Sequence, residues 1–503
     1  MLADVPSATL LGVEGHPVTV EVHVGSGLPG FNVVGLPDAS CREARDRVRA
    51  AVLSSKFRWP DTRITVNLAP TNLRKVGSGL DLAIAMALLA ASEQIPKGAL
   101  RGLGFLGELG LNGTLRPLLG MLPLVDSIGP SVPVVPVENL AEARLVRPDA
   151  RAVHSLLELV AAISGDGSWP ETLADAPDAP AVVDRVDLSE VQGHPIARHA
   201  LEVAAAGGHH MLMVGPPGAG KTMLAERLPG LLPDLDDRGA MDVSRVHSAA
   251  GTLGGRSGLL RRPPFRSPHH TASLVALIGG GSLLLRPGEV SLASGGVLFL
   301  DELGEFPAAH LDSLRQPLES GIIRVARANA NVTLPARFLL AAATNPCPCG
   351  VGRWGDCRCT PAQIARYGRR MSSPLLDRFD IRLAVDPPSP ALVFASHMAG
   401  ESSAEVRERV RVARDRAVAR GVSSNRELRG AALELHAPLS DEGRRLLRRR
   451  LETGSLSMRG AQRARSVALT LHDLEGDDGP VTPAHLEGAL MLRGEDTQIG
   501  LVA

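Results

Sequence analysis

Aromatic residues are scarce in this 503-residue chain: nine Phe, three Trp and a single Tyr, Tyr367. Bases cannot be held mainly by aromatic stacking, and the core must be aliphatic. Lysine is scarcer than arginine, with only Lys56, Lys75, Lys97 and Lys221 among 54 cations. Net charge is absent, since 54 Asp and Glu balance those cations, which excludes a protein that coats polyanions through bulk charge. No run reaches the roughly 18 consecutive apolar residues of a membrane span, and the first residues lack a basic stretch followed by an apolar one. A cytoplasmic protein without a membrane partner is expected. The five Cys are Cys41 and four gathered at Cys347, Cys349, Cys357 and Cys359, unlike a secreted disulfide framework.

What is present is a 44% apolar chain long enough for about two to four domains. The Gly-, Pro-, Ala- and Asp-rich stretch 164–184 reads as a linker between an N-terminal domain, 1–163, and the rest. Alternation at Val18, Val20, Val22 and Val24 predicts a strand, as does Arg63 to Leu68, while Arg42 to Ser55 and Leu80 to Ser92 predict helices. This first domain is α+β. Short apolar strands follow at Met211 to Val214, Val297 to Leu300 and Phe338 to Ala343. With helical segments between them they predict a parallel sheet, α/β in class, over 185–388. Val406, Val410, Ala413 and Ala417 form a helical stripe, and 389–503 is expected to be a helical lid.

The sharpest motif is Gly215, Pro216, Pro217, Gly218, Ala219, Gly220, Lys221 and Thr222, a phosphate loop between strand and helix. Its backbone N–H groups and helix N-terminus suit phosphate oxygens. Lys221 would reach the β- and γ-phosphates of ATP and Thr222 would ligate Mg²⁺. About 80 residues later an apolar strand delivers Asp301 and Glu302, Asp301 to hold Mg²⁺ and Glu302 to activate the attacking water. A third strand ends at Asn345, placed to orient water. Arg378 follows in SPLLDRFD, where its local partners for a salt bridge are Asp377 and Asp380.

The four clustered Cys make C-x-C-x₇-C-x-C, which either closes on Zn²⁺ or stays as reduced thiols. His209-His210 and His269-His270 are adjacent pairs and read as structural or polar contacts. Charge is uneven: 351–470 carries +10, 1–200 carries −5 and 471–503 carries −6. Part of the basic excess is expected to pair locally, as Glu405 with Arg409 at i, i+4.

These blocks, with FRSPHHTASLVALIGGG at Phe265 to Gly281, NPCPCG and RYGRRMSSPLLDRFD, resemble the AAA+ superfamily. Within it they are similar to the magnesium chelatase-like ATPases of the ComM/YifB type, over nearly the whole chain. The resemblance implies an AAA+ P-loop parallel sheet with a helical lid, preceded by a domain with the fold of the Lon protease. It implies Lys221 and Thr222 as Walker A, Asp301 and Glu302 as Walker B, and Asn345 as sensor 1. Arg378 would be a finger donated to a neighbour's γ-phosphate, and Arg459 a sensor 2 closing the lid on the nucleotide, with Arg370 and Arg463 as rivals. Two insertions, 279–287 and 321–333, would line the pore of a hexamer, with Arg324 and Arg327 facing single-stranded or branched DNA. The implied activity is ATP-driven branch migration in recombination and natural transformation; the alternative is a protein remodeller or chelatase-like motor acting on a protein partner. Lon carries its nucleophilic Ser where this chain has Asp81, so a non-catalytic N-terminal module is expected, although Ser78 and Lys75 lie nearby.

Overall fold

The computed structural model describes residues 1–170, 186–254, 258–281, 285–327, 330–352, 355, 357–387 and 400–494. Most of the expected linker, 171–184, and the start of the expected lid, 389–399, lie outside them.

The N-terminal part begins with two long antiparallel strands, Leu2–Leu11 and Glu14–Gly25. Arg63–Ala69 pairs antiparallel with the second of these and parallel with Gly30–Val34, completing four strands. The valines expected to alternate do so: Val18, Val20 and Val22 are buried while Thr19 is exposed. Helix Asp81–Ala91 is buried along its whole length, so it packs as a core rod rather than an amphipathic cover. A separate three-stranded parallel sheet, Leu103–Phe105, Val132–Pro136 and Arg151–Val153, extends the domain.

The central part is built on five parallel strands. Numbered along the chain they are Met211–Val214, Phe265–Arg266, Val297–Leu300, Leu339–Thr344 and Ile381–Ala384, and across the sheet they run 2-3-4-1-5. The three strands around the middle are buried at every residue, as expected of a sheet covered on both faces. Because all five run the same way, the loops after Val214, Leu300 and Thr344 emerge at one carboxyl edge.

Helices dominate from Ser403. Ser403–Ala419 starts on a capping box of Ser402 and Glu405 and buries Val406, Val410, Ala413 and Ala417, the expected stripe. Glu405 is thereby spent on the cap, and Arg409 instead pairs with Glu202 at 2.6 Å and Glu401 at 2.8 Å. Met458–Glu475 buries most of its second half and packs with Pro483–Leu492. Much of the local arginine excess serves this lid: Arg414 donates to the Ala205 carbonyl, Arg420 pairs with Asp473 and Arg465 donates to the Ala437 carbonyl. Part of the basic stretch is therefore internal wiring, while Arg445, Arg448 and Arg449 lie on the exposed face of helix Asp441–Glu452.

The N-terminal part docks on the central part through helix Met121–Ser127, which lies against helix Asp237–Ala250. The buried Glu142 carboxylate accepts from the Ser248 hydroxyl and from the Leu122 N–H at 2.9 Å. Burial raises its pKa, and both hydrogen bonds oppose that. The two expected insertions are both β-hairpins among the described residues. Ile322–Arg327 pairs antiparallel with Ala330–Pro335, and Gly279–Gly280 pairs with Arg286–Pro287.

Candidate nucleotide site

Strand Met211–Val214 runs into Gly215, and the chain curls through Gly218 and Gly220 at φ of 78° and 81° before helix Lys221–Leu231 begins. Glycine is the residue that takes this left-handed backbone without a steric penalty. The loop and helix N-terminus border a cavity of about 420 Å³ lined by Gly218, Gly220, Lys221, Thr222, Asp301, Glu302 and Asn345. Lys221, Thr222, Asp301, Glu302 and Asn345 thus face one space.

The Lys221 ammonium is 2.8 Å from the carbonyl oxygens of Gly215 and Pro216 and 3.3 Å from Asn345 Oδ1. Burial pulls its pKa down, with the Asp301 and Glu302 carboxylates opposing. Thr222 Oγ1 donates to Asp301 Oδ2 at 2.7 Å. Two adjacent ligands of an octahedral Mg²⁺, with oxygens at about 2.1 Å from the ion, lie about 2.9 Å apart, and a hydroxyl and a carboxylate are suitably hard donors. The pair fits that ion.

Glu302 stands at φ 51°, a left-handed conformation uncommon for a side-chain-bearing residue, with its carboxylate exposed toward the cavity. His270 Nδ1 lies 3.3 Å from Glu302 Oε2. The ring is set by stacking near His269, centroids 4.1 Å apart, and by an edge contact with Phe306. This histidine pair is expected to make structural or polar contacts, and for His270 the polar contact is Glu302, because the sheet topology puts the loop after Phe265–Arg266 beside the Val297–Leu300 loop. The other pair is structural as expected. His209 Nε2 meets Thr470 Oγ1 at 2.8 Å, and His210 Nδ1 accepts from the Leu340 N–H.

Arg378 does not pair with Asp377 or Asp380. It is buried, ion-paired with Glu319 and donating to the Pro374 carbonyl, while Asp380 is taken by Arg426 at 2.9 Å and by Arg463. Arg378, Arg426, Arg429, Arg459 and Arg463 converge on a second cavity of about 200 Å³. Arg459 therefore lies beside Arg378, away from the phosphate loop of its own chain. Among the described residues, no arginine lines the phosphate-loop cavity. Arg370 pairs with Glu305 at 2.8 Å and donates to the Gly304 carbonyl.

Arg324 is exposed on its hairpin strand, whose neighbours Ile323 and Val325 pack inward; the Arg327 side chain lies outside the described residues. The four cysteine sulfurs come together in one loop. In the N-terminal part the Ser78 hydroxyl donates to Glu108, and the Lys75 ammonium is fully buried on the carbonyls of Pro70 and Leu73. Asp81 is ion-paired with Arg47 at 2.6 Å. No Ser–Lys hydrogen bond is formed among these residues.

Three family matches tile the chain: "Magnesium chelatase, subunit ChlI" over 187–392, "Subunit ChlI of Mg-chelatase" over 20–139 and "Magnesium chelatase, subunit ChlI C-terminal" over 400–493. An uncharacterized protein YifB of Escherichia coli is 42% identical, covering 98% of this chain and 97% of its own. Competence protein ComM of Haemophilus influenzae is 41% identical over the same shares. A probable DNA helicase of Arabidopsis thaliana, MCM9, is 26% identical over 40% of this chain and 26% of its own. With relatives of this identity along nearly its full length, and the phosphate loop and paired acids on a five-stranded parallel sheet, the chain belongs to the magnesium chelatase-like AAA+ family that includes YifB and ComM.

Proposed function

We propose that this chain is an ATP- and Mg²⁺-dependent ring motor, hexameric, that translocates on single-stranded or branched DNA and drives branch migration. The observation that carries the reading is the division of charge between two cavities. One holds Lys221, Thr222, Asp301, Glu302 and Asn345, and the other holds Arg378 and Arg459. A triphosphate in the first would lack an arginine from its own chain, and a neighbouring subunit presenting the second would supply it. An arginine so donated stabilises transition-state charge by about a thousandfold or more.

In this reading the phosphate loop N–H groups and Lys221 hold the β- and γ-phosphates, Glu302 takes the proton of the attacking water, and Asn345 orients that water. Mg²⁺, held by Thr222 and Asp301, supplies electrostatic neutralisation of the phosphate oxygens. His270 lies against Glu302 and fixes where its carboxylate points. Residues 1–163 form a non-catalytic module, 164–184 a linker, 185–388 the motor core and 389–503 the lid. Arg324 is exposed on strand Ile322–Arg327, which also carries Arg327, and a guanidinium there suits phosphate geometry. The relative named a competence protein and the distant one named a probable DNA helicase support DNA as the substrate.

A protein remodeller or chelatase-like motor is the second reading, favoured by the magnesium chelatase families that match all three parts. ATP turnover with and without single-stranded, forked and three-stranded DNA separates the two, with Glu302→Gln as control. Stimulation by DNA that Arg324→Ala/Arg327→Ala abolishes supports the DNA motor. Turnover indifferent to every DNA form overturns it in favour of a protein substrate.

A further inference from the structure

The loop that follows Asn345 carries four of the five cysteines, and no step of the nucleotide chemistry above uses their thiols. Cys347 is buried, Cys359 is half-buried, and Cys349 and Cys357 are exposed. Their sulfurs all lie within 4.8 Å of one another. Cys347 Sγ is 3.2 Å from Cys349 Sγ and 3.6 Å from Cys357 Sγ, and the last two are 3.7 Å apart. A disulfide needs about 2.05 Å, so none of these is one. A Zn²⁺ with four thiolates at about 2.3 Å has sulfurs about 3.8 Å apart along each edge of the tetrahedron. Two of these edges, 3.6 and 3.7 Å, are close to that value, and the third, 3.2 Å, is shorter. Clusters of several iron atoms need thiolates spread more widely, since the iron and sulfide core stands between them, so the spacing points to a single ion.

We propose that Cys347, Cys349, Cys357 and Cys359 bind one Zn²⁺ as a closed structural site, the thiols giving up their protons as the metal enters. The spacing of one residue in the first pair is met by a tight turn, in which the Gly350 N–H donates to the Cys347 carbonyl at 2.9 Å. All four ligands come from one segment of thirteen residues, so the ion would knot a loop that has few apolar residues of its own. Its position gives the knot a consequence. Cys347 lies two residues after Asn345, and a Cβ added at Gly350 would come within 2.9 Å of Pro217 Cδ, so the loop touches the phosphate loop directly. On its other side, helix Pro361–Gly368 starts on the Thr360 capping box and brings Tyr367 to within 3.1 Å of Thr344 Oγ1. The zinc would therefore pin the segment between Asn345 and that helix against the phosphate loop, a positioning role that rests on the proposed nucleotide site, whereas zinc binding itself does not.

Metal analysis of the full chain, purified without chelator, is expected to give about one zinc per chain. Cys357→Ser/Cys359→Ser is expected to lower it to under about a tenth, and cobalt added to metal-free protein should give the charge-transfer and visible bands of a tetrahedral tetrathiolate site. Should the double variant fail to fold, release of zinc from the unaltered chain by a mercurial, followed with a metallochromic dye, gives the same stoichiometry. Protein that carries no zinc after growth with zinc supplied, or that carries iron instead, overturns the proposal. Zinc retained when all four cysteines are replaced by alanine overturns it as well. As a readout of positioning, zinc removal is expected to lower kcat for ATP about tenfold or more while moving KM little, since misplacement by about 1 Å can cost a hundredfold. Zinc present in a chain without ATP turnover would leave the metal site standing and sink the nucleotide reading instead.

Discussion

Arg378 and Arg459 share one cavity, and that cavity is separate from the one bordered by Lys221. The two arginines come from different parts of the chain: Arg378 precedes strand Ile381–Ala384, and Arg459 opens helix Met458–Glu475 of the lid. Asp380 ties the two regions together by accepting from Arg463 Nη1, which also donates to the Arg378 carbonyl at 3.1 Å. Both arginines thus border one cavity, Arg459 exposed and Arg378 buried.

If that unit serves a neighbour, two inactive variants should rescue each other. Lys221→Ala leaves the arginines intact and Arg378→Ala leaves the phosphate loop intact. Each alone is expected to lose ATP turnover by about a thousandfold. Mixed rings restore about a quarter of interfaces if every site takes its loop from one chain and its arginine from the next. Turnover that stays at background across all mixing ratios would show that the arginine acts within its own chain.

The contact between His270 and Glu302 predicts a graded series. Glu302→Gln removes the proton acceptor and is expected to lower kcat by about a hundredfold to ten-thousandfold with nucleotide affinity kept. His270→Ala leaves the carboxylate but frees its orientation, and is expected to lower kcat about tenfold with KM little changed. Steady-state ATPase assays beside fluorescent-nucleotide binding read both numbers. A His270→Ala chain that turns over at the full rate would mean the 3.3 Å approach is incidental.

The sole tyrosine is packed onto the carboxyl edge of the sheet. A Cβ at Gly304 would lie 2.3 Å from Tyr367 Cζ, so the ring occupies the space a side chain there would need. Gly304→Ala is expected to destabilise the chain by about 1–3 kcal/mol through this clash, and Tyr367→Phe, which loses only the hydroxyl contact to Thr344, by about 1 kcal/mol. Chemical denaturation compares them, and a Gly304→Ala chain as stable as the unaltered one would contradict the packing argument.

The phosphate loop, the paired acids and the central strands were legible because each is local: a glycine pattern, an apolar run, a strand ending in charge. The stripe of Val406, Val410, Ala413 and Ala417 was legible for the same reason, its period being that of a helix. The partners of charged residues were not. The salt-bridge partners that the local sequence offers Arg378 are Asp377 and Asp380, whereas the fold brings Glu319 to it from 59 residues away. Glu405 went to a cap and Arg409 to Glu202, which lies 207 residues away. His270 was missed because only strand order places it at Glu302. A motif reports its own segment; electrostatic pairing is decided by topology, which no window of sequence contains.

Two buried aspartates carry opposite pH dependences, which separates the two ends of the chain. Burial raises the Asp380 carboxyl, but Arg426, His209 and Arg463 outweigh it and hold it well below the ordinary range. Its stabilisation is fully present above the unfolded value of about 4 and is lost as pH falls through the lower folded value. Burial raises Asp81 to about 6, with Arg47 opposing. Between about 4 and 6 the folded chain then binds the extra proton, so stability falls as pH rises through that window, by up to about 3 kcal/mol. Asp380→Asn is expected to cost about 3–5 kcal/mol at neutral pH, since it leaves buried guanidinium groups without their counter-charge, and to flatten the acid limb below about pH 4. Asp81→Asn is expected to remove the slope between about pH 4 and 6 and leave the acid limb in place. Hydrogen exchange across this pH range locates each effect, in Met458–Glu475 for Asp380 and in Asp81–Ala91 for Asp81. Protection in Asp81–Ala91 that rises between pH 4 and 6 would reverse the sign argued for Asp81.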